Sequence, residues 1–251
     1  MIEDSSLAKL IAILAREAQL GVQREIPGFL ASRGIQSLYH FTSIKNLASI
    51  SQHGLMGREL LTSKGYDFTA SDFVRIEPVE NAICLSLSQP NNFMASRKIS
   101  SGHELVLLEI GNVADLLTNY CFIAMPGNFG GAVLKRKLQN WPEEFIGGTG
   151  LLNLFRNEDL RKQYEIADSE PTDPQSEILV LDPIPWRFIT KIISPGLRGY
   201  APQEEVRKVV QLLPIDAVFQ SQNPKIFPEI NWKDPKIITE FNDRRWNESW
   251  N

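Results

Sequence analysis

The sequence predicts an α+β fold: a central, mainly antiparallel or mixed sheet with flanking helices. Three observations carry that expectation. The 251 residues are 43% hydrophobic and 22% charged, which is ordinary globular composition. Short apolar runs of strand length recur at irregular spacing. Few helical patterns lie between them to serve as crossovers, and no stretch repeats internally.

The elements follow in chain order. Residues 5–20 read as an amphipathic helix, with Leu7, Leu10, Ile11, Leu14 and Ala18 on one stripe and Lys9, Arg16 and Glu17 outside it. Gly21 and Pro27 are expected to end it. "SLYHFT" reads as a short strand, followed by a helix that starts at Thr42 or Ser43 and stops at Gly54. Its apolar stripe is Ile44, Leu47, Ala48 and Ile50. Residues 57–80 are polar and irregular. Strands return at Ala82–Leu87, Glu104–Ile110, Tyr120–Ala124, Ile178–Asp182 and Phe188–Ile193. Helical pieces are expected near 150–163 and 202–212, and "DAVFQS" offers a last strand. Gly130-Gly131 and the Gly147 to Gly150 run read as loops. From Glu229 the chain becomes rich in Trp, Asp and Asn, with Trp232, Trp246 and Trp250 placed to cap the body.

Charge and motif content narrow the function classes. A net charge of −4 argues against a protein coated in basic residues, although a local basic groove suffices for nucleic acid. Cys84 and Cys121 each sit inside an apolar run and are expected as buried thiols, not a disulfide. Three histidines and two cysteines without paired spacing give no zinc site. No Walker sequence and no G-x-G-x-x-G after a strand occurs. The N-terminus lacks a basic region followed by an apolar one, and no apolar run approaches ~18 residues. A cytoplasmic protein without membrane contact is expected.

Three spots combine polar residues with strand ends. In Tyr39-His40-Phe41-Thr42, strand alternation sends His40 and Thr42 to one face, which is expected to be polar and open to hydrogen bonding. The ordinary explanation is a satisfied histidine and a helix cap. Arg75 lies in the irregular excursion ahead of a buried strand, where a surface arginine is the plain reading. Ser86 and Ser88 alternate at the end of that strand, before "PNNF", as turn chemistry would have them. Glu177 stands where the Pro-rich "EPTDPQS" meets the apolar run Ile178-Leu179-Val180-Leu181. A carboxylate at a strand mouth can be held rigidly while its head reaches a cleft. Singly none is persuasive; their order is.

That order, with its surrounding letters, resembles the DarT family, toxins that ADP-ribosylate bases of single-stranded DNA. "LYHFTSIKNLASISQHGL" is similar to the family's opening strand and helix. "NAICLSLSQPNNFM" resembles its Cys-Leu-Ser and Pro-Asn-x-x-Met block, and "PTDPQSEILV" its proline-rich loop into the catalytic glutamate. The resemblance spans roughly Ser37 to Phe227. It implies an ADP-ribosyltransferase-like domain over 31–228, an N-terminal helical extension over 1–30 and a packed tail over 229–251. It implies NAD as co-substrate, with no metal, and a base of single-stranded DNA as acceptor, thymidine before guanosine. His40, Phe41 and Thr42 would grip the nicotinamide end, Ser49 would add a contact, and Glu177 would be the catalytic carboxylate. The catalytic arginine falls on Arg75, with Arg58 in the same excursion as the alternative. The loop Ala167 to Ser176 takes the place of the substrate-recognising loop. A macrodomain antitoxin of the DarG kind is the implied partner, and a monomer is expected.

The chemistry needs these residue types. Breaking the bond between nicotinamide and ribose spreads positive charge over the ribose ring, as in glycoside hydrolysis. One well-placed group that stabilises such charge is worth roughly 3–4 kcal/mol. An arginine, with pKa above ~12, suits diphosphate binding or a developing anion better than literal general-base work. The acceptor base must be unpaired, because a duplex buries the reactive atom. Arg97-Lys98 and Lys135-Arg136-Lys137 are the clusters best suited to backbone phosphate. Two other readings stand beside this one: the same donor chemistry on RNA or protein, and an inert nucleotide-binding module.

Overall fold

Among the described residues, seven short strands join in one sheet of order β4-β5-β2-β1-β3-β6-β7. The strands are β1 Leu38–Ser43, β2 Ile83–Leu87, β3 Leu105–Ile110, β4 Phe122–Met125, β5 Glu177–Val180, β6 Ile189–Ser194 and β7 Val218–Ser221. The computed structural model describes residues 22–70, 81–91, 95, 98, 101–127, 145–194 and 218–221. All pairings are antiparallel except β6 with β7, which is parallel. The α+β class and mixed sheet expected from the apolar runs are therefore observed. "DAVFQS" supplies β7.

Apolar side chains of period two pack one face of the sheet against helices, and Leu107, Ile123, Leu179 and Ile193 of the other face are buried as well. Leu38, Leu85, Leu87, Val106, Leu108, Ile110, Ile178 and Val180 share a core with Ile26, Leu30, Leu47, Ile50, Leu116, Leu117 and Leu151 of the helices. Each fully buried Leu or Ile contributes about 1.5–3 kcal/mol relative to exposure. Among the described residues the helices are α1 Val22–Arg33, α2 Leu47–His53, α3 Arg58–Ser63, α4 Val113–Asn119, α5 Gly147–Asn153 and α6 Glu158–Gln163. Helix α1 packs against α4 and α5.

Several helical expectations change. Pro27 lies inside α1 instead of ending a helix. Its missing N–H costs about 3 kcal/mol in a helix interior, and burial of Ile26 and Leu30 on either side offsets that loss. The expected helix over 150–163 is two helices. Asn157 breaks them by adopting a left-handed backbone (φ 71) and accepting the Leu160 N–H at 3.1 Å, which caps α6. Gly147 to Gly150, expected as loop, form the first turn of α5. There the bare Gly150 Cα lies against the Phe145 backbone, where a Cβ would come within 2.4 Å. Part of the excursion over 57–80 is α3, whose start is capped from a distance: the Asn81 Oδ1 accepts the Leu60 N–H at 3.0 Å. Helix α4 was not foreseen.

Other expectations stand in place. Ser43 caps a 3-10 turn over Ile44–Asn46 by accepting the Lys45 N–H, and Gly54 (φ 78) closes α2. Neither cysteine forms a disulfide, but Cys121 is exposed and Cys84 half-buried. Cys121 leads into β4, at the sheet edge, which is why it is not the core thiol expected. The expected helices over 5–20 and 202–212, Gly130-Gly131 and the Trp-rich tail lie outside the described residues. Among the described residues no helix is long and apolar enough to cross a membrane.

Candidate active site

The sheet opens between its two central strands. β1 and β2 pair only at Leu38 with Leu87 and Tyr39 with Ser86. Beyond that point β1 stays paired with β3 as far as Ser43, and β2 stays paired with β5 as far as Ile83. Each strand thus keeps its outer neighbour while parting from the other. Where the ladder stops, the His40 side chain takes over. Its Nδ1 lies 2.9 Å from the Cys84 carbonyl oxygen. A carbonyl only accepts, so Nδ1 carries the proton there.

Register assigns the faces. Residues opposite one another on adjacent strands point the same way, and successive residues point oppositely. Leu108 opposes His40 and Val106 opposes Thr42, so these two polar residues share the helix-covered apolar face. The expected polar face is not found; Thr42 is buried, with 7% exposure. Its Oγ1 accepts from Asn46 Nδ2 at 3.0 Å.

Glu177 belongs to the other face. It is the half-buried first residue of β5, opposite Ser86 on one side and Met125 on the other. Ser86 opposes Tyr39, Tyr39 opposes Glu109, and Glu109 opposes Lys191. A polar row therefore crosses five strands. Lys191 closes it with an ion pair to Glu109 at 3.1 Å. Tyr39 is half-buried, and desolvation first, then the Glu109 charge, pushes its phenol above its ordinary value. Ser86 is held by accepting the Asn91 N–H at 3.2 Å. At about 4.8 Å per strand, Glu177 stands roughly 10 Å from Tyr39 and the start of the opening.

The other candidates fall as follows. Phe41 and Ser49 are half-buried, on β1 and α2 respectively. Arg58 is the first residue of α3 and half-buried. Arg75 lies outside the described residues, as do Arg97 and Lys135-Arg136-Lys137. The residues on either side of its segment are tied down. Asn46 accepts the Thr69 N–H at 2.7 Å and donates to the Thr69 carbonyl at 2.9 Å. Asn81 Nδ2 donates to Glu59 at 2.8 Å.

Sequence reasoning passed over Asn46, Tyr39 and Arg161. Asn46 carried a usable signal, four residues after Thr42 at a helix start, the spacing at which side chains meet. Arg161, inside "EDLRKQ", has the look of a solvated face and carried none. Among the described residues no cluster of metal-ligating side chains occurs.

An α+β protein whose sheet parts beside a strand-mouth carboxylate is the class that fold and site define. No family model and no curated protein matches the sequence. Among solved structures, the chain is similar to Thermosipho africanus DarTG in complex with ADP-ribose, at 15% identity and TM-score 0.48, over 76% of this chain and 51% of that one. The chain thus spans about half the length of that DarTG chain. It is also similar to Thermus sp. 2.9 DarT in complex with ADP-ribosylated ssDNA, at 16% identity and TM-score 0.45, covering 74% and 92% of the two chains. The same Thermus protein in complex with NAD+ gives 16% identity, TM-score 0.42 and coverage of 74% and 93%.

Proposed function

We propose that this protein is an NAD-dependent ADP-ribosyltransferase with an ADP-ribosyltransferase-like fold, acting on a base of single-stranded DNA as the toxin of a toxin–antitoxin pair. One observation carries the reading. Glu177, delivered by a Pro-containing loop to the mouth of β5, stands next to β2, the strand that forms one wall of the opening where His40 bridges β1 to β2. The same two spots carry the sequence resemblance.

In this reading NAD lies across the opening. The bond between the ribose C1′ and the nicotinamide nitrogen breaks, and its electron pair leaves with neutral nicotinamide. Glu177 stabilises the cation on the ribose ring and holds a ribose hydroxyl. The resemblance assigns the nicotinamide end to His40, Phe41, Thr42 and Ser49; of the three on β1, Phe41 shares the face of Glu177, and His40 and Thr42 stand behind it on the apolar face. Thr42 and His40 already have partners, Asn46 and Cys84, so their orientation is set before NAD arrives. Such preorganisation turns binding into positioning. Arg75 meets the diphosphate or the anion that develops on the base. The base attacks C1′ and gives up one proton to solvent. Thymidine is the first acceptor and guanosine the second. A macrodomain antitoxin of the DarG kind is the partner.

The test uses purified protein, NAD and short single-stranded DNA of varied sequence, read by intact mass, with Glu177→Ala as control. A gain of one ADP-ribose, absent in the variant, is the expected result. The oligonucleotide that reacts names the base. No gain on any DNA by folded, NAD-binding protein overturns the DNA acceptor in favour of RNA or protein. No NAD binding overturns the transferase reading.

A further inference from the structure

The loop that brings Glu177 to the sheet is shaped by one buried cation. Arg161, in the last turn of α6, is only 4% exposed. Its Nη1 donates to the Glu170 carbonyl at 2.8 Å and to Thr172 Oγ1 at 3.3 Å, while Nη2 donates to the Ala167 carbonyl at 2.8 Å. One guanidinium therefore grips both the entry and the middle of the loop Ala167 to Ser176. The hydroxyl passes the constraint on, since Thr172 Oγ1 donates to the Arg156 carbonyl at 2.6 Å and the Thr172 N–H to the Leu154 carbonyl at 2.8 Å.

Burying this cation is costly, and the acceptors it meets are two carbonyls and a hydroxyl, not a carboxylate. Desolvation, then the nearby Arg33, pushes its pKa down from the usual value; Glu158, Asp168 and Glu170 oppose them. The guanidinium stays charged regardless. Its guanidinium carbon lies over the Phe155 ring, 5.3 Å from the centre, and Arg33 approaches the same ring at 4.8 Å. The ring is thus a neighbour in contact with the fork. Further on, Asp173 turns the chain into β5 by accepting the Gln175 N–H at 2.7 Å and the Ser176 N–H at 3.0 Å. Glu170 also meets the side chain of Gln89, just past β2, the strand that Glu177 faces.

We propose that Arg161 is a positioning residue: its three-point grip on the loop Ala167 to Ser176 sets the place of the Glu177 carboxylate, a role that rests on the reading of Glu177 given above. A lysine keeps the charge but supplies a single point where a planar fork grips two limbs at once.

Two arms test this on the full chain, in Arg161→Lys and in the milder Thr172→Val. Hydrogen exchange is expected to speed up at the amides of Glu170, Thr172 and Ser176 by on the order of tenfold, the factor one hydrogen bond is worth. The β3 and β5 amides stay protected. NAD turnover is expected to fall about 10²-fold in kcat, as a carboxylate displaced by about 1 Å would cause, with KM for NAD unchanged. Unchanged loop exchange, or a loss confined to KM, overturns the proposal. If Arg161→Lys exposes the core amides together, Thr172→Val decides by the same criteria. If the unmodified protein turns over no NAD, the reading of Glu177 falls, and the exchange arm alone still judges the grip.

Discussion

The Asn46 side chain pairs with both backbone groups of Thr69, accepting its N–H at 2.7 Å and donating to its carbonyl at 2.9 Å. A side-chain amide thereby imitates a strand neighbour, and its second N–H reaches Thr42 at 3.0 Å. All three of the polar hydrogens and lone pairs engaged are lost in Asn46→Ala. That variant is expected to lose about 1–3 kcal/mol of stability. In Asn46→Asp the acceptor to Thr69 N remains while both donors vanish, so its loss falls between. Denaturant unfolding of the three proteins checks the order.

Gly54→Ala is expected to be worse. Gly54 has φ 78, where a side chain is strained, and a Cβ there would stand 2.4 Å from the Ile184 carbonyl oxygen. That oxygen accepts the Leu55 N–H at 2.8 Å, so it cannot retreat without breaking the bridge between the two segments. Strain and overpacking together come to about 3 kcal/mol. At roughly 2–4 °C per kcal/mol for a chain of this size, melting falls by roughly 6–12 °C.

Cys121 offers a pH readout. Although the residue reaches solvent, partial burial of the thiol first, then the Asp182 carboxylate, pushes its pKa up. A raised folded value means that stability is complete below the ordinary thiol pKa and declines as pH rises through the raised one. It also means less thiolate, and hence slower alkylation, at pH 8.5 than for a thiol in an unfolded peptide. Asp182→Asn removes the charge and retains an oxygen that can accept the Cys121 N–H, now 2.9 Å from Asp182 Oδ2. Alkylation at Cys121, followed by peptide mass, is expected to quicken a few fold, the effect of one screened charge worth about 1 kcal/mol. An unchanged rate counts against the electrostatic cause.

Glu177→Gln separates chemistry from folding. The ladder contacts to Ser86 and Met125 are made by backbone, which the substitution leaves alone. Stability is expected to change by about 1 kcal/mol, as for one hydrogen-bonded group at a half-buried site, while NAD turnover drops roughly 10²–10³-fold. A variant that loses stability and activity in step points to a structural carboxylate.

Much of this architecture could be read from the letters, and what escaped has definite causes. Strands β2, β3 and β5 were legible because apolar runs bounded by turn residues have few alternatives. The cap at Ser43 and stop at Gly54 were legible because their side chains act locally. Helix α1 was obscured by Pro27, whose local cost is outweighed by packing that only the fold supplies. Helix α4 spans only Val113–Asn119, about two turns between two strands, too short for its Asn112 start and its Val113, Leu116, Leu117 spacing to stand out. In the site, alternation along β1 was legible, but the side on which Glu177 stands was not. That depends on register: Ser86 faces both Glu177 and Tyr39, so the glutamate shares a face with Tyr39 and not with His40. Register links residues about ninety positions apart, and nothing local encodes it.

The sheet order also sets a timetable for synthesis. β5 sits between β4 and β2, and both of its partners leave the ribosome before it does. Neither ladder that fixes Glu177 can form until residue 180 has emerged, at roughly 5–20 residues per second. His40 and Cys84, the two ends of the bridge across the opening, are synthesised well before the carboxylate. Translation products that end before β5 therefore lack Glu177 altogether.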